Sequence, residues 1–146
     1  MSKRSHELFV IDILIAIDKI GRYHRDFDSA QDFYHDEKSF DATMRELQII
    51  GEATRHLLTH QILEEEYRII VDFRNLVVHE YFGVDADEIW DILLNELPRL
   101  KETMQTLLSV FDREILLEIL DAVLAQHHGK TAEYLRELQI QLQTRQ

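Results

Sequence analysis

The sequence predicts an all-α fold, and three observations carry that prediction. Apolar residues recur at steps of three and four along most of the chain, as one buried face of a helix requires. Four Gly and one Pro among 146 residues leave little room for the turns of an all-β fold. Residues able to cap a helix, such as Ser29, Asp85 and Asp112, stand directly ahead of apolar runs. The hydrophobic content of 45% is that of a globular chain, and the length is that of one domain. Within that domain residues 1–111 form a bundle and residues 112–146 a C-terminal helical extension.

The first helix is predicted from Ser5 to about Arg25, where Leu8, Ile11, Ile15 and Val10, Leu14, Ile17 recur at helical spacing, with Asp12, Asp18 and Lys19 facing away. Its wide apolar stripe is core or a contact between copies. Asp26 to His35 reads as a loop with one or two helical turns, capped at Asp28-Ser29 and pinned to the core by Phe33 and Tyr34. A second long helix follows from about Asp36 to Leu58, burying Phe40, Met44, Leu47, Ile50, Ala53 and Leu57. Gly51 within it costs about 1 kcal/mol against Ala, which suggests that another helix passes close. His56 and His60 are four apart and could share a metal ion. With no third ligand evident and no Cys in the chain, they read as helix-end residues and no metal site is expected.

The third long helix starts near Glu64 or Tyr67 and is expected to bury Ile69, Ile70 and Phe73. Glu64, Glu65 and Glu66 suit the positive end of its dipole. The fourth runs from Ala86 to about Phe111 on Ile89, Ile92, Leu93, Leu97, Leu100, Met104 and Leu107, with Trp90 in packing and a kink at Pro98. Four such helices with short links make an antiparallel bundle. Beyond it, Asp112 caps an apolar helix carrying Ile115, Leu116, Ile119, Leu120, Val123 and Leu124, and an amphipathic segment with Leu135, Leu138 and Leu142 begins at Thr131. This hairpin either covers the bundle or enlarges an interface between copies.

The stretch from Phe73 to Gly83 carries the chemistry. Arg74, Asn75, His79 and Tyr81 interrupt a run of Leu, Val and Phe, and polar groups set among apolar neighbours are costly unless paired or used. On a helix Asn75 and His79 stack on one strip, while Arg74 and Tyr81 nearly share an angle. Gly83 can close that helix and Asp85 can cap the next. An imidazole can move a proton to or from a ribose 2′-hydroxyl, and a guanidinium can grip a phosphate and offset the charge developing on it. Two copies related by a two-fold axis would supply one base and one acid. On spacing alone, a satisfied polar cluster at a bundle interface fits these residues equally well.

The net charge of −12 runs against a nucleic-acid partner, because such proteins usually carry a basic footprint. Residues 1–120 hold 13 Lys and Arg against 25 Asp and Glu, so contacts to RNA must come from local clusters. Arg74 with its mate in a second copy is one, and Lys19, Arg22 and Arg25 are another. The acidic surface suits a basic protein partner. Glu7, Asp12 and Asp18 interrupt the apolar start, so neither a secretion signal nor a membrane span is expected, and the lack of Cys fits a cytoplasmic location.

Arg74, His79 and Tyr81 together reproduce the Arg-x4-His-x-Tyr signature, and in this the chain resembles the HepT-like toxins of the HEPN superfamily. The resemblance extends through Leu47-Gln48-Ile49-Ile50-Gly51-Glu52-Ala53, through Tyr81-Phe82-Gly83-Val84-Asp85 and through Asn95-Glu96-Leu97-Pro98-Arg99-Leu100-Lys101-Glu102. It covers roughly residues 5–108, and residues 112–146 depart from it. It implies a helical homodimer acting as the toxin of a type II toxin–antitoxin system, a metal-independent endoribonuclease without a cofactor. Arg74 and His79 would be catalytic at the dimer interface, with Asn75 in support. The implied partner is a nucleotidyltransferase antitoxin of the MntA type, which transfers AMP to Tyr81. Two rivals remain, a non-catalytic nucleotide-binding or regulatory subunit of a nucleotidyltransferase complex and a purely structural helical dimer.

Overall fold

Helix α1 (His6–His24) is apolar on almost every side, burying Val10, Ile11, all of Ile13 to Ile17, and Ile20. A helix of that kind must be enclosed by others. In the computed structural model, which describes residues 5–79 and 85–144 and only the backbone of 74–79, α1 is the axis of the fold. Ser5 caps it, its hydroxyl accepting from the Leu8 N–H at 3.3 Å.

The remaining elements wrap that axis. A short helix, α2 (Ala30–His35), starts at the Ser29 cap, and α3 (Glu37–Thr59) starts at Asp36, whose carboxylate accepts from the Ser39 N–H at 3.0 Å. A 3-10 turn over Glu65–Tyr67 leads into α4 (Arg68–His79). Helix α5 (Ala86–Asp91), capped by Asp85, runs through a π-helical turn at Ile92–Glu96 into α6 (Leu97–Val110). Helices α7 (Arg113–Leu124) and α8 (Gly129–Thr144) complete the chain. Helix α3 packs along α1 and also carries α4, α6 lies against α1, and α2 packs on α5. This is the expected all-α bundle, and no strand occurs among the described residues.

Pro98, the site of the expected kink, directly follows a widened turn. Its ring would crowd the carbonyl four residues back and it has no N–H to donate. The turn before it is π-helical, with the Leu97 N–H reaching Ile92 O, five residues back.

The C-terminal hairpin folds onto α1. Leu116, Leu120, Leu135, Leu138 and Leu142 are buried and join the same core as α1 and α3. Its leucine stripe is therefore occupied within the chain, while Ile115 and Ile140 stay exposed. No helix among the described residues is long and apolar enough to cross a membrane.

Candidate functional site

Helix α4 is held at its start by side chains of the 3-10 turn. Tyr67 is buried, and its hydroxyl hydrogen-bonds the Thr103 hydroxyl on α6 at 2.5 Å. Arg99 spans the same junction, pairing with Glu66 at 2.9 Å while its guanidinium carbon sits 5.6 Å from the Tyr67 ring centre. On the turn's outer side Glu65 and Arg68 form an exposed pair at 3.0 Å, which holds the carboxyl below its usual range.

From that anchor α4 turns Ile70, Val71 and Phe73 into the core. Ile69, expected to be buried with them, is half exposed. The helical spacing had the right period, but α3 covers a narrower arc than three apolar residues in a row suggest. Ile69, Asp72 and Phe73 instead line one side of a cleft of about 420 Å³, with Glu88, Asp91 and Ile92 across it. Three carboxylates thus rim the space beside this helix, and no Lys or Arg among the described residues lines it.

Arg74, Asn75 and His79 all fall within the last turns of α4, as the motif requires, but their side chains lie outside the described residues. Tyr81 and Gly83 lie outside the described residues altogether. Steps of three and four residues put Asn75 and His79 on the same helical strip as Asp72, so the backbone carries that strip from the acidic cleft toward the helix end. Past it, Asp85 caps α5 by accepting from the Asp87 N–H at 2.8 Å.

Two long-range groupings were not evident from the sequence. His6 at the start of α1 meets the pair at the end of α3: its Nδ1 is 3.2 Å from His56 Nε2, and its ring centre is 5.2 Å from that of His60. Phe9 stacks on His56 at 3.9 Å, and His60 Nδ1 donates to the His56 carbonyl at 2.9 Å. The third histidine that sequence spacing could not supply therefore comes from another helix. Even so, no group of three or more His, Asp or Glu among the described residues is arranged to hold a metal ion. The basic cluster of α1 divides as well. Lys19 acts on Glu46 of α3, whose carboxyl is pushed up by burial and partly offset by Lys19 and Arg45, whereas Arg22 and Arg25 line a different cleft.

Comparison with known proteins places this arrangement. Residues 13–107, from α1 into α6, match a family model described as ribonuclease HepT-like. A candidate RNase of Methanocaldococcus jannaschii is 30% identical over 108 residues, which is 72% of this chain and 98% of that protein. A probable ribonuclease HepT of Thermococcus cleftensis is 33% identical over 108 residues, 72% of this chain and 97% of that one. A candidate RNase of Caldanaerobacter subterraneus is 34% identical over 85 residues, 56% of this chain and 75% of that one. No solved structure gives a significant match.

Proposed function

Because the chain belongs to the HepT-like family of the HEPN superfamily, we propose that it is a metal-independent endoribonuclease whose site is completed by a second copy. The observation that carries the reading is the coincidence of that match with an Arg-x4-His-x-Tyr motif whose Arg and His fall at the end of α4. In the reaction one His79 takes the proton of a ribose 2′-hydroxyl, and the freed oxygen attacks the adjacent phosphorus. The His79 of the second copy gives a proton to the departing 5′-oxygen. Arg74 offsets the charge gathering on the phosphorus oxygens, and Asn75 orients the phosphate or the imidazole. The products are a 2′,3′-cyclic phosphate end and a 5′-hydroxyl end. In this reading the protein is a cytoplasmic toxin. Its antitoxin, a nucleotidyltransferase of the MntA type, silences it by transferring AMP from ATP to the Tyr81 hydroxyl with release of diphosphate.

Cleavage of an end-labelled RNA by wild type and by His79→Ala, in excess EDTA and with end-group analysis, tests this. Wild type should leave cyclic phosphate ends, and the variant should lose at least about a hundredfold in rate while melting as wild type does. Retained cleavage by the variant would overturn the mechanism, and cleavage that stops with EDTA would overturn metal independence. A second reading, a non-catalytic regulatory subunit of a nucleotidyltransferase complex, draws support from the carboxylate-rimmed cleft beside α4 and the net charge of −12. It is favoured if neither protein cuts RNA while Tyr81 carries no added AMP mass.

A further inference from the structure

An acidic ribonuclease must hold more of its substrate's phosphates than the one at Arg74, and among the described residues the charged groups rimming the cleft beside α4 are all carboxylates. We propose that a second cleft, between the last turns of α1 and the start of α6, binds the sugar-phosphate backbone of the RNA strand. This rests on the ribonuclease reading above. The cleft measures about 400 Å³, and the charged side chains lining it are Arg22, Arg25, Lys101 and a single carboxylate, Asp18. Arg22 and Asp18 lie 3.5 Å apart and offset each other, and Arg22 is further fixed by donating to the Thr131 hydroxyl at 3.3 Å. Arg25 and Lys101 are exposed and pair with no carboxylate among the described residues. Three cations against one carboxylate around one cavity, with Arg25 also bordering the adjoining hollow, on a chain of charge −12, mark a place where an anion gains what the rest of the surface denies it.

Gly21 is the second observation. It sits inside α1, where glycine weakens a helix, yet a Cβ there would meet nothing within 4 Å. Packing does not require the glycine; what it does is leave the wall of this cleft bare. The neighbouring hollow of about 190 Å³ shares Asp18, Arg22 and Arg25 and adds Lys130, Glu133 and Glu137, so its charges balance and it does not compete for an anion, whereas Lys101 lines the larger cleft and not this hollow. Position also fits an extended strand. The π turn is a wall of both of these clefts, with Ile92 lining the acidic one and Leu93 the basic one. A strand leaving the basic cleft therefore passes the π turn to reach α4.

The test is fluorescence anisotropy with a short labelled single-stranded RNA, titrated at several salt concentrations, on the His79→Ala background so that the RNA survives. Arg25→Glu combined with Lys101→Glu should weaken binding by about tenfold or more and reduce the slope of log affinity against log salt by about 1.4, two phosphate contacts' worth. Gly21→Glu, which puts a carboxylate into open space, should lose binding similarly without lowering the melting temperature, and Gly21→Ala should bind as the parent does. Unchanged affinity and slope in both acidic variants would overturn the proposal, as would no RNA binding by the parent. If labelled ATP loses binding in these variants and RNA does not, the cleft is a free-nucleotide site and the RNA assignment is wrong. The two readings fail separately. Weakened RNA binding with no cleavage by wild type removes the ribonuclease and leaves the cleft, whereas normal cleavage with undiminished binding removes the cleft alone.

Discussion

His24, at the end of α1, stands edge-on to Trp90 at 5.8 Å and to Phe33 at 6.5 Å, so its ring belongs to the aromatic packing that joins α1, α2 and α5. Burial disfavours the imidazolium and pulls its pKa below the ordinary value of 6.5, against a smaller raising effect of its backbone hydrogen bond. The unfolded chain therefore takes up this proton first as pH falls. Stability is complete above 6.5 and is lost below it, down to the folded pKa, at no more than about 1.4 kcal/mol per pH unit for one proton. His24→Phe should remove that loss. The check is denaturant unfolding of both proteins above and below 6.5; a stability difference independent of pH would refute it. Single side chains were also where sequence reasoning was weakest. Helical period places Ile69 beside Ile70, but only the neighbouring helix decides whether that face is covered, and Ile69 is half exposed. His6 joins His56 from fifty residues away, a distance that no local spacing encodes. That Arg74, Asn75 and His79 share one helix end was legible because their spacing is local, whereas what their side chains touch is not a property of spacing at all.

The ends of helices divide into those that announce themselves and those that do not. Ser29, Asp36, Asp85 and Asp112 all cap as their chemistry predicts, because a short side chain that bonds its own backbone acts within three residues. The end of α3 carries no such sign. The Ile62 N–H bonds Leu57 O at 2.9 Å and the Gln61 N–H bonds Leu58 O at 3.0 Å, the double bond of a Schellman closure, and Gln61 adopts φ 58° where glycine is usual. A side chain in that region costs about 1 kcal/mol, while glycine gives back part of this through its freedom in the unfolded chain. Gln61→Gly should thus be neutral to stabilising, by roughly 0.5 kcal/mol, and β-branched Gln61→Val should lose about 1 kcal/mol or more. Thermal melts of the pair decide it, and a valine variant as stable as the glycine one would mean that the closure is unstrained. The π turn before Pro98 was hidden for a related reason. Sequence marks the missing donor but not that the turn ahead of it widens.

At the scale of the molecule the question is whether the hairpin α7–α8 is part of the bundle or an appendage to it. The family match stops at residue 107, so nothing in the shared pattern demands the hairpin. The apolar pattern of α1 does, because a helix buried all round needs a covering element on each side, and α7 and α8 supply one of them. Leu135 is completely buried in that contact. Leu135→Ala should then cost about 2–5 kcal/mol, and the loss should fall on the whole chain as one cooperative transition. The single tryptophan makes this separable: Trp90 lies in the α1–α2–α5 packing, far along the chain from position 135, while far-ultraviolet dichroism follows every helix. Fluorescence and dichroism should shift to lower denaturant together and by the same amount. If dichroism instead shows an early partial loss while the Trp90 transition stays where it is in the wild type, the hairpin melts on its own. Its leucines would then be a local closure laid over a bundle that is stable without them.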